Sequence, residues 1–540
     1  MPRQSRYRLF LFSLALIFLS GFHLLAEQDL HRVWAIKDAR IVTLTGPPIE
    51  KGNIVIRDGL IEAVGAGVPI PKDAEVIDGT KLTVYPGLMD SLGQSLLKLP
   101  EEKMDMSRIS SGEFTDKDRG ITPGLAAFDH INLGKAVFEK YHKLGFVAGH
   151  VLPDRGVLTG RSAFFCFSDP DKNRALLLRD FCLGVGFSPA GFLVYPNSLM
   201  GVHSYLKQAL TDAAYFDQAR SRWLKEMKGL ARPDYGPNLD VLADYATAKK
   251  PVVFLCRNQN DIRRSLSLAA EFKLGYFIAD LGGEAFEVIP ELKKANARVL
   301  CTVVFKAPGS SLYAQRGKAE RERAEKEVYP KNPARLAEAG IPFAFSSLGT
   351  DDPKAFAEGI QKAIEAGLSK EKAIEALTKT PAVFFGLDRA LGTIEPGKIA
   401  NIVLSEGELL VKETKVRYAF VDGKKFELKE AKPGEGEKPT VNVTGKWELA
   451  IEGQMGMTLT IEFSQEEAAL SGKLITPFGA FDFTDGAISG KDVSFEISIS
   501  VAGQDIDLFF SATVEGERMR GSVVQAGSGT AEFTAKRIPG

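Results

Sequence analysis

The chain has 540 residues, a length that favours two or more domains over one compact core. Hydrophobic residues make up 44% of it and charged residues 25%, which is typical of a globular protein and excludes a disordered or fibrous one. With 68 Lys and Arg against 69 Asp and Glu, the formal net charge is -1. No basic field exists to attract phosphates, so we expect no nucleic-acid partner.

The N-terminus has the layout of a secretory signal peptide. Arg3, Arg6 and Arg8 precede an apolar run over residues 9–19, and Ala26 supplies a small residue before a polar stretch. This pattern predicts a signal peptide over residues 1–26, export to the periplasm or the extracellular space, and no membrane span after cleavage. A retained N-terminal membrane anchor is the alternative, because the apolar run can be extended further.

The cysteine count argues against a disulfide framework. Four cysteines occur in the whole chain, at Cys166, Cys182, Cys256 and Cys301. One bridge is conceivable in an oxidising compartment, but buried free thiols are the preferred interpretation.

Two kinds of pattern alternate along the rest of the chain. Residues 32–85 show short apolar segments separated by turn residues, as in a small antiparallel β unit, and a similar pattern returns over residues 386–428. Between them, residues 86–385 alternate strand-like runs with amphipathic helical stretches, which favours a parallel barrel or a doubly wound sheet.

The C-terminal part is predicted to be separate. Residues 429–440 are charged, contain Pro and Gly, and have no apolar periodicity, which indicates a linker. Residues 441–540 contain frequent short strands with glycine turns and almost no helical signal. We expect a small all-β barrel or sandwich domain there.

Two signatures bracket the central region. VYPGLMD at residues 84–90 follows KGNIVIRDG at 51–59, and TPA at 380–382 precedes GTIEPGKIAN at 392–401. Over residues 35–428 the chain thereby resembles the amidohydrolase superfamily, especially its imidazolonepropionase-like branch. The resemblance implies an α/β fold: a distorted (β/α)8 TIM barrel, a composite β-sandwich built from both chain ends, and a metal site at the strand C-termini.

That family uses zinc or another divalent metal to activate a bound water. Its ligands include a His-x-His pair after the first signature, a bridging Lys, two further His and an Asp. This chain contains no His-x-His, and it has six histidines in total. The positions that the resemblance equates with the metal ligands, and that we expect to line a ligand pocket, carry Leu92, Gln94, Cys166, Leu255, Arg257, Leu281 and Leu348. We therefore expect no metal cofactor and assign no catalytic residue.

A few polar residues remain as weak candidates. His150 lies near the end of the predicted strand at residues 146–151, where a side chain could face the pocket. Asp351 and Asp352 follow the last predicted barrel strand and could replace the missing carboxylate, although a helix N-cap is the preferred interpretation. Cys166 and Cys256 could project into the pocket, but core thiols are preferred.

Two functional hypotheses follow. The first is a pseudoenzyme that binds a small molecule or peptide in the barrel mouth, or pairs with an active amidohydrolase as a homo- or hetero-oligomer. The second is an atypical hydrolase of non-peptide C–N bonds with a mononuclear or metal-free site, since function is separable from fold.

Overall fold

The computed structural model describes residues 33–99, 114–189, 194–304, 323–324, 326–350, 352–411, 414–428, 439–451, 458–476, 479–501, 504–525 and 529–538. The chain divides into two units, residues 1–428 and 429–540. The predicted signal peptide or anchor at residues 1–26 and most of the predicted linker at 429–440 lie outside the described residues.

The first unit contains sixteen strands and eleven α-helices among its described residues. In chain order the strands are β1 (Val33–Ile41), β2 (Ile49–Arg57), β3 (Leu60–Gly65), β4 (Ala74–Asp78), β5 (Thr83–Pro86), β6 (Leu88–Gly93), β7 (Phe146–Val151), β8 (Leu158–Cys166), β9 (Leu176–Gly186), β10 (Val252–Cys256), β11 (Tyr276–Asp280), β12 (Val299–Thr302), β13 (Phe343–Ser346), β14 (Ile402–Glu406), β15 (Lys415–Val421) and β16 (Lys424–Glu427). The helices are α1 (Ala127–His130), α2 (Lys135–Lys143), α3 (Lys172–Ala175), α4 (Leu199–Lys225), α5 (Pro237–Ala246), α6 (Gln259–Phe272), α7 (Ile289–Lys294), α8 (Asn332–Glu338), α9 (Pro353–Glu365), α10 (Lys370–Leu377) and α11 (Lys379–Phe384). No described helix is both long and apolar enough to cross a membrane.

Strands from both ends of this unit share one sheet. Its path is β16-β15-β14-β5-β1-β2-β3, with β4 paired to β1. The two chain ends join where β5 and β14 run antiparallel, with Val84 opposite Leu404. The predicted contribution of both ends to one β structure is thus observed as a single sheet, while its arrangement as a sandwich stays a prediction.

Two Asp-Gly turns show that this sheet curls. Asp58 and Gly59 connect β2 to β3 with φ of 52° and 80°, and Asp422 and Gly423 connect β15 to β16 with 52° and 72°. Positive φ at both central residues is the geometry for which Asp-Gly is favoured. A Cβ on Gly423 would lie 2.2 Å from Gly59 Cα, so the turns from the two chain ends meet in direct contact.

Strands β6 to β13 form the second sheet, in chain order. Neighbouring pairs are parallel except around β8, which is antiparallel to both β7 and β9. At the seam between β13 and β6, Leu348 N donates to Leu92 O at 3.0 Å and Ser346 Oγ donates to the same oxygen at 2.8 Å. The sheet thereby closes on itself as in a TIM-barrel-like α/β fold, with the short apolar strands buried on both faces.

The second unit is a closed antiparallel barrel. Its strands are β17 (Gly445–Ile451), β18 (Thr458–Glu466), β19 (Ala469–Thr476), β20 (Gly479–Ser489), β21 (Asp492–Val501), β22 (Gln504–Glu515), β23 (Arg518–Gln525) and β24 (Gly529–Arg537). β24 pairs with β17, which removes the exposed strand edges. Phe495 stacks on Phe483 and Phe510 in the core, with ring centroids 4.7 Å away in both pairs. Of the two predicted forms, the barrel is confirmed.

Candidate functional site

The mouth of the first barrel is the end at which its parallel strands finish, where barrels of this architecture carry their sites. β6 and β13 finish side by side there, because Leu348 N donates to Leu92 O. The structure therefore brings Leu92 and Leu348 together at this end of the barrel. Both side chains are buried, at 0% and 2% exposure, and neither offers a donor atom to a metal.

Two further predicted positions lie at adjacent strand ends. Leu281 N donates to Cys256 O at 2.8 Å, which places the ends of β10 and β11 next to each other. Leu255 is buried, Leu281 is half-buried, and Arg257 is exposed. The Arg257 backbone N–H donates to Asp261 Oδ2 at 3.1 Å at the start of α6, so this loop is fixed while its guanidinium faces solvent.

Gln94 has a partner that the sequence did not predict. With its amide oriented so that Nε2 faces Asp154, Gln94 donates to the two carboxylate oxygens at 2.7 and 3.0 Å. Both residues are half-buried, and Leu152 N donates to Gly93 O at 3.2 Å beside them. Asp154 lies in the segment LPDRGVLTG, which resembles the family. That resemblance was the sequence feature that could have marked Asp154 as a candidate site residue.

Cys166 does not lie at the mouth, which corrects the expectation for this residue. β8 runs antiparallel to β7, with Val151 opposite Ala163 and Ala148 opposite Cys166. The end of β8 therefore lies beside the beginning of β7, at the opposite end of the barrel. Cys166 Sγ accepts from Asn401 Nδ2 at 3.2 Å, and burial raises the pKa of its thiol.

Cys256 also faces away from the barrel interior. Cys256, Asp280 and Cys301 are cross-strand neighbours on β10, β11 and β12. Cys256 Sγ lies 3.2 Å from Ser265 Oγ on α6, and Asn332 Nδ2 on α8 donates to Asp280 Oδ2 at 2.8 Å and to Cys301 Sγ at 3.3 Å. The three side chains thus point toward the outer helices. All four cysteines are free and buried, as preferred from the sequence.

Asp280 is a buried carboxylate of this layer that accepts several hydrogen bonds. Besides Asn332, the backbone N–H groups of Glu284 and Ala285 donate to it at 3.1 and 3.0 Å. Burial nevertheless raises the pKa of Asp280 to about 6. These bonds tie the end of β11 to the segment that follows it, a structural role that explains the carboxylate without a ligand.

His150 faces the barrel interior but is sealed within it. Its ring lies 5.9 Å from Phe164 and 4.6 Å from Phe385, whereas the opposite face of β8 carries Phe165, which stacks on Phe128 of α1 outside the barrel. Nδ1 bonds to Ser91 O at 2.9 Å, and Nε2 has no partner among the described residues. Burial lowers the pKa of His150 to about 4, so the ring is neutral at physiological pH.

Asp90 was missed as a candidate. It ends the VYPGLMD signature and is buried, and it accepts from Ser347 N at 3.1 Å, from Leu92 N at 3.2 Å and from Ser347 Oγ. Burial raises the pKa of Asp90 to about 6. The position of an acidic residue within an apolar run was the sequence feature that could have marked Asp90 as a candidate. In the structure its side chain bonds across the β6–β13 seam.

Asp351 lies outside the described residues. Its neighbour Asp352 caps α9, because its side chain accepts from Lys354 N at 2.9 Å and from Ala355 N at 3.3 Å. The N-cap interpretation of Asp352 is confirmed.

The donor set does not fit a divalent metal. Among the described residues, no group of three or more His, Cys, Asp or Glu is placed to hold an ion. At the mouth, the strand ends carry Leu92, Leu255, Leu281 and Leu348, whose side chains have no atom that could coordinate a metal.

Several known proteins are similar to this chain in sequence or in fold. A model of the Amidohydrolase family matches residues 319–431. An adenine deaminase from Archaeoglobus fulgidus is 33% identical over 450 residues, which cover 81% of this chain and 66% of that protein. An adenine deaminase from Desulforamulus reducens is 45% identical over 65 residues, 12% of this chain and 10% of that protein. The chain thus spans less than two thirds of the length of either relative.

Among solved structures, an amidohydrolase from Thermotoga maritima aligns with a TM-score of 0.62 at 21% identity. The alignment covers 73% of this chain and 99% of that one, which supports the barrel fold. The family match, the long relative and this fold agree with the two sequence signatures, and the chain belongs to the amidohydrolase superfamily.

Proposed function

We propose that this chain is an exported member of the superfamily that has lost metal-centred catalysis and binds a small molecule or peptide at the barrel mouth. This proposal rests mainly on the apolar character of the strand ends, where Leu92, Leu255 and Leu348 are buried. A barrel that had lost its metal but kept the ligands would leave unpaired polar groups buried, which is costly. Leucines at these positions avoid that cost and leave an apolar floor.

The mouth also offers polar groups that could orient a ligand. The Gln94 and Asp154 pair is half-buried after β6 and β7, and the Arg257 guanidinium is exposed after β10. An apolar floor with a few polar groups at its rim is typical of small-molecule sites. The ligand we propose carries a hydrogen-bond donor for Asp154 and an anionic or carbonyl group for Arg257.

Export and assembly belong to the same proposal. Export rests on the arginines and the apolar run of residues 1–26. Pairing with a second copy or with an active homologue would give an inactive barrel a regulatory or scaffolding use.

A second candidate is hydrolysis of a non-peptide C–N bond. The relative that is 33% identical is named adenine deaminase, and such an activity would release ammonia from a heteroaromatic amine. This alternative requires an atypical site, because the described strand ends supply no metal-binding group.

Metal content separates the first candidate from a metal-dependent form of the second. The purified protein is incubated with zinc, manganese and iron, freed of excess metal, and measured by elemental mass spectrometry. We expect far less than one ion per chain. One tightly held ion per chain would overturn the loss of the metal site, and replacing His150, Asp154 and Asp351 in turn would identify the ligands.

Ligand binding tests the mouth directly. Adenine, dipeptides and N-acyl amino acids are screened by thermal shift, and hits are measured by calorimetry alongside an assay for released ammonia. We expect binding without turnover, weakened in Asp154→Asn and unchanged in Asp73→Asn, a matched change at an exposed acid in an ion pair with Arg57. Metal-dependent ammonia release would favour the deaminase alternative, and no shift with any compound would contradict binding at the mouth.

A further inference from the structure

The C-terminal turns of helix α4 are not covered by the rest of the protein along the face that is buried earlier in the helix. The helix has 27 residues, roughly 40 Å at 1.5 Å per residue. Its buried stripe consists of Val202, Leu206, Ala209, Leu210, Ala213 and Phe216. The next positions on the same stripe are Arg220 and Leu224, four and eight residues after Phe216, and neither is buried. The last turns of α4 therefore extend beyond the part of the protein that covers its apolar face.

Apolar side chains continue along this extension. Leu224 is 58% exposed, Met227 is 54% exposed, and the adjacent Trp223 is half-buried. Single exposed hydrophobic residues are ordinary on a protein surface. Here Leu224 lies in the last turn of α4 and Met227 directly follows the extended residue Glu226 that ends the helix, so two exposed apolar side chains lie within four residues at one helix end. We call residues 221–235, which contain them, the overhang.

The overhang is also basic. It contains Arg222, Lys225, Lys228 and Arg232 against Glu226 and Asp234. None of the four basic side chains has a carboxylate within ion-pair distance in the part of the chain that the structure describes. Arg220, by contrast, pairs with Asp240 of α5 and with Asp217, so the base of the overhang is anchored to the body.

Interaction with the helix dipole does not account for this charge. Arg222 and Lys225 lie in the last turn, where cations interact favourably with the helix C-terminus. Lys228 and Arg232 lie beyond the helix, on either side of Gly229 with its φ of 80°. Their positive charge is therefore available to an outside partner.

We propose that the overhang docks on anionic lipid membranes. Leu224 and Met227 enter the boundary between headgroups and acyl chains, and the surrounding Lys and Arg side chains bind lipid phosphates. An apolar tip flanked by unpaired basic groups is complementary to such a surface. A second copy of the chain fits less well, because a two-fold contact would place the same basic groups against each other.

The test is vesicle co-sedimentation with protein that begins at residue 27, which retains every described residue and removes the N-terminal apolar run as a source of binding. Vesicles contain phosphatidylcholine alone or mixed with phosphatidylglycerol. We expect binding to the anionic vesicles that weakens with salt. The triple change Arg222→Gln, Lys225→Gln and Lys228→Gln lowers the partition coefficient by at least about tenfold.

Matched control variants distinguish binding by the overhang from nonspecific binding by charged or hydrophobic residues elsewhere on the surface. Lys293→Gln, Lys294→Gln and Lys362→Gln remove the same charge from exposed positions elsewhere and leave binding unchanged. The double change Leu224→Ser and Met227→Ser weakens binding, whereas Met200→Ser, 83% exposed at the other end of α4, does not. Circular dichroism and the thermal midpoint verify that each variant is folded.

Equal binding to both vesicle types, or binding that the triple variant retains in full, would overturn the proposal. So would a concentration-dependent dimer in sedimentation velocity that Leu224→Ser and Met227→Ser abolish without any vesicle binding. That last result would assign the overhang to contact with a second copy.

Discussion

The mouth of the barrel and the layer between its strands and outer helices differ sharply in chemistry. The mouth, where the superfamily resemblance implies metal ligands, has buried Leu92, Leu255 and Leu348. The buried carboxylates are bonded within the scaffold instead: Asp280 bonds to Asn332 of α8, and Asp90 bonds to Ser347 at the seam.

The two buried acids of the scaffold, Asp90 and Asp280, show why a shifted pKa does not by itself mark a functional site in this fold. Asp90 and Asp280 both have a pKa raised by burial to about 6, a property often associated with catalytic groups. Each nevertheless accepts three hydrogen bonds within the scaffold. The raised pKa of each acid therefore reports burial within the scaffold, and the hydrogen bonds, which oppose the rise, give each carboxylate a structural role.

The largest effect is expected from Asp280→Ala. The change leaves Glu284 N, Ala285 N and Asn332 Nδ2 without their acceptor in a buried layer, so we expect a loss of about 3–5 kcal/mol in the free energy of unfolding. Urea denaturation of the first unit measures it, and the transition of the second unit serves as an internal reference.

Asp352→Ala is the control for this first prediction. It removes an exposed helix cap and should cost only about 1 kcal/mol. An equally small loss in Asp280→Ala would contradict the structural assignment of the outer layer.

The second prediction concerns Asp90→Asn and pH. Folding raises the pKa of Asp90 from 3.8 to about 6, so its stabilising contribution is complete below pH 4 and is lost as the pH rises through 6. Asparagine does not titrate. The stability of the variant relative to the unaltered protein should therefore increase by about 2.4 kcal/mol between pH 4 and pH 7.

Denaturant titrations at several pH values measure this difference. Contributions from Asp280, His142 and His150 are common to both proteins and cancel in the comparison. A difference that does not change with pH would show that Asp90 is ionised throughout and that the seam is more polar than its burial indicates.

The third prediction has the opposite sign and uses His150→Leu. Folding lowers the pKa of His150 from 6.5 to about 4, so the unaltered protein loses stability as the pH falls through this window. Leucine has no such penalty, and the variant should gain about 2 kcal/mol relative to the unaltered protein between pH 7 and pH 5. His142→Leu should show the same sign, because burial lowers the pKa of His142 to about 4 as well. A flat difference for His150→Leu would place its ring in contact with water or a ligand.

Much of the fold could be predicted from the sequence. The signatures at residues 84–90 and 392–401 identified the superfamily, and apolar runs such as VVFLC at 252–256 located the barrel strands because both faces are buried. Short strands with glycine turns were sufficient to separate the C-terminal barrel, although periodicity could not distinguish a barrel from a sandwich.

The site was predicted less completely, for physical reasons. Matching Cys166 to the mouth assumed that all barrel strands are parallel, and the reversal of β8 places it at the other end. Strand alternation gives two faces but does not say which one is inside, so Cys256 could not be assigned to the outer layer. The partnership of Gln94 with Asp154 is a contact between two loops 60 residues apart, which no local pattern encodes.

The smallest effect on stability is expected at the mouth itself, from Gln94→Leu. Gln94 and Asp154 are half-buried, so water can replace their hydrogen bonds, and the free energy of unfolding should change by less than about 1 kcal/mol. Denaturation midpoints of the variant and of Leu281→Gln, at the other half-buried position of the mouth, provide the measurement. A loss of several kcal/mol would make the pair a structural bond like that of Asp280, and the exposed Arg257 would then be left to orient a ligand at the mouth. Retained stability together with weakened ligand binding would instead leave the mouth as the region where sequence change alters function and not folding.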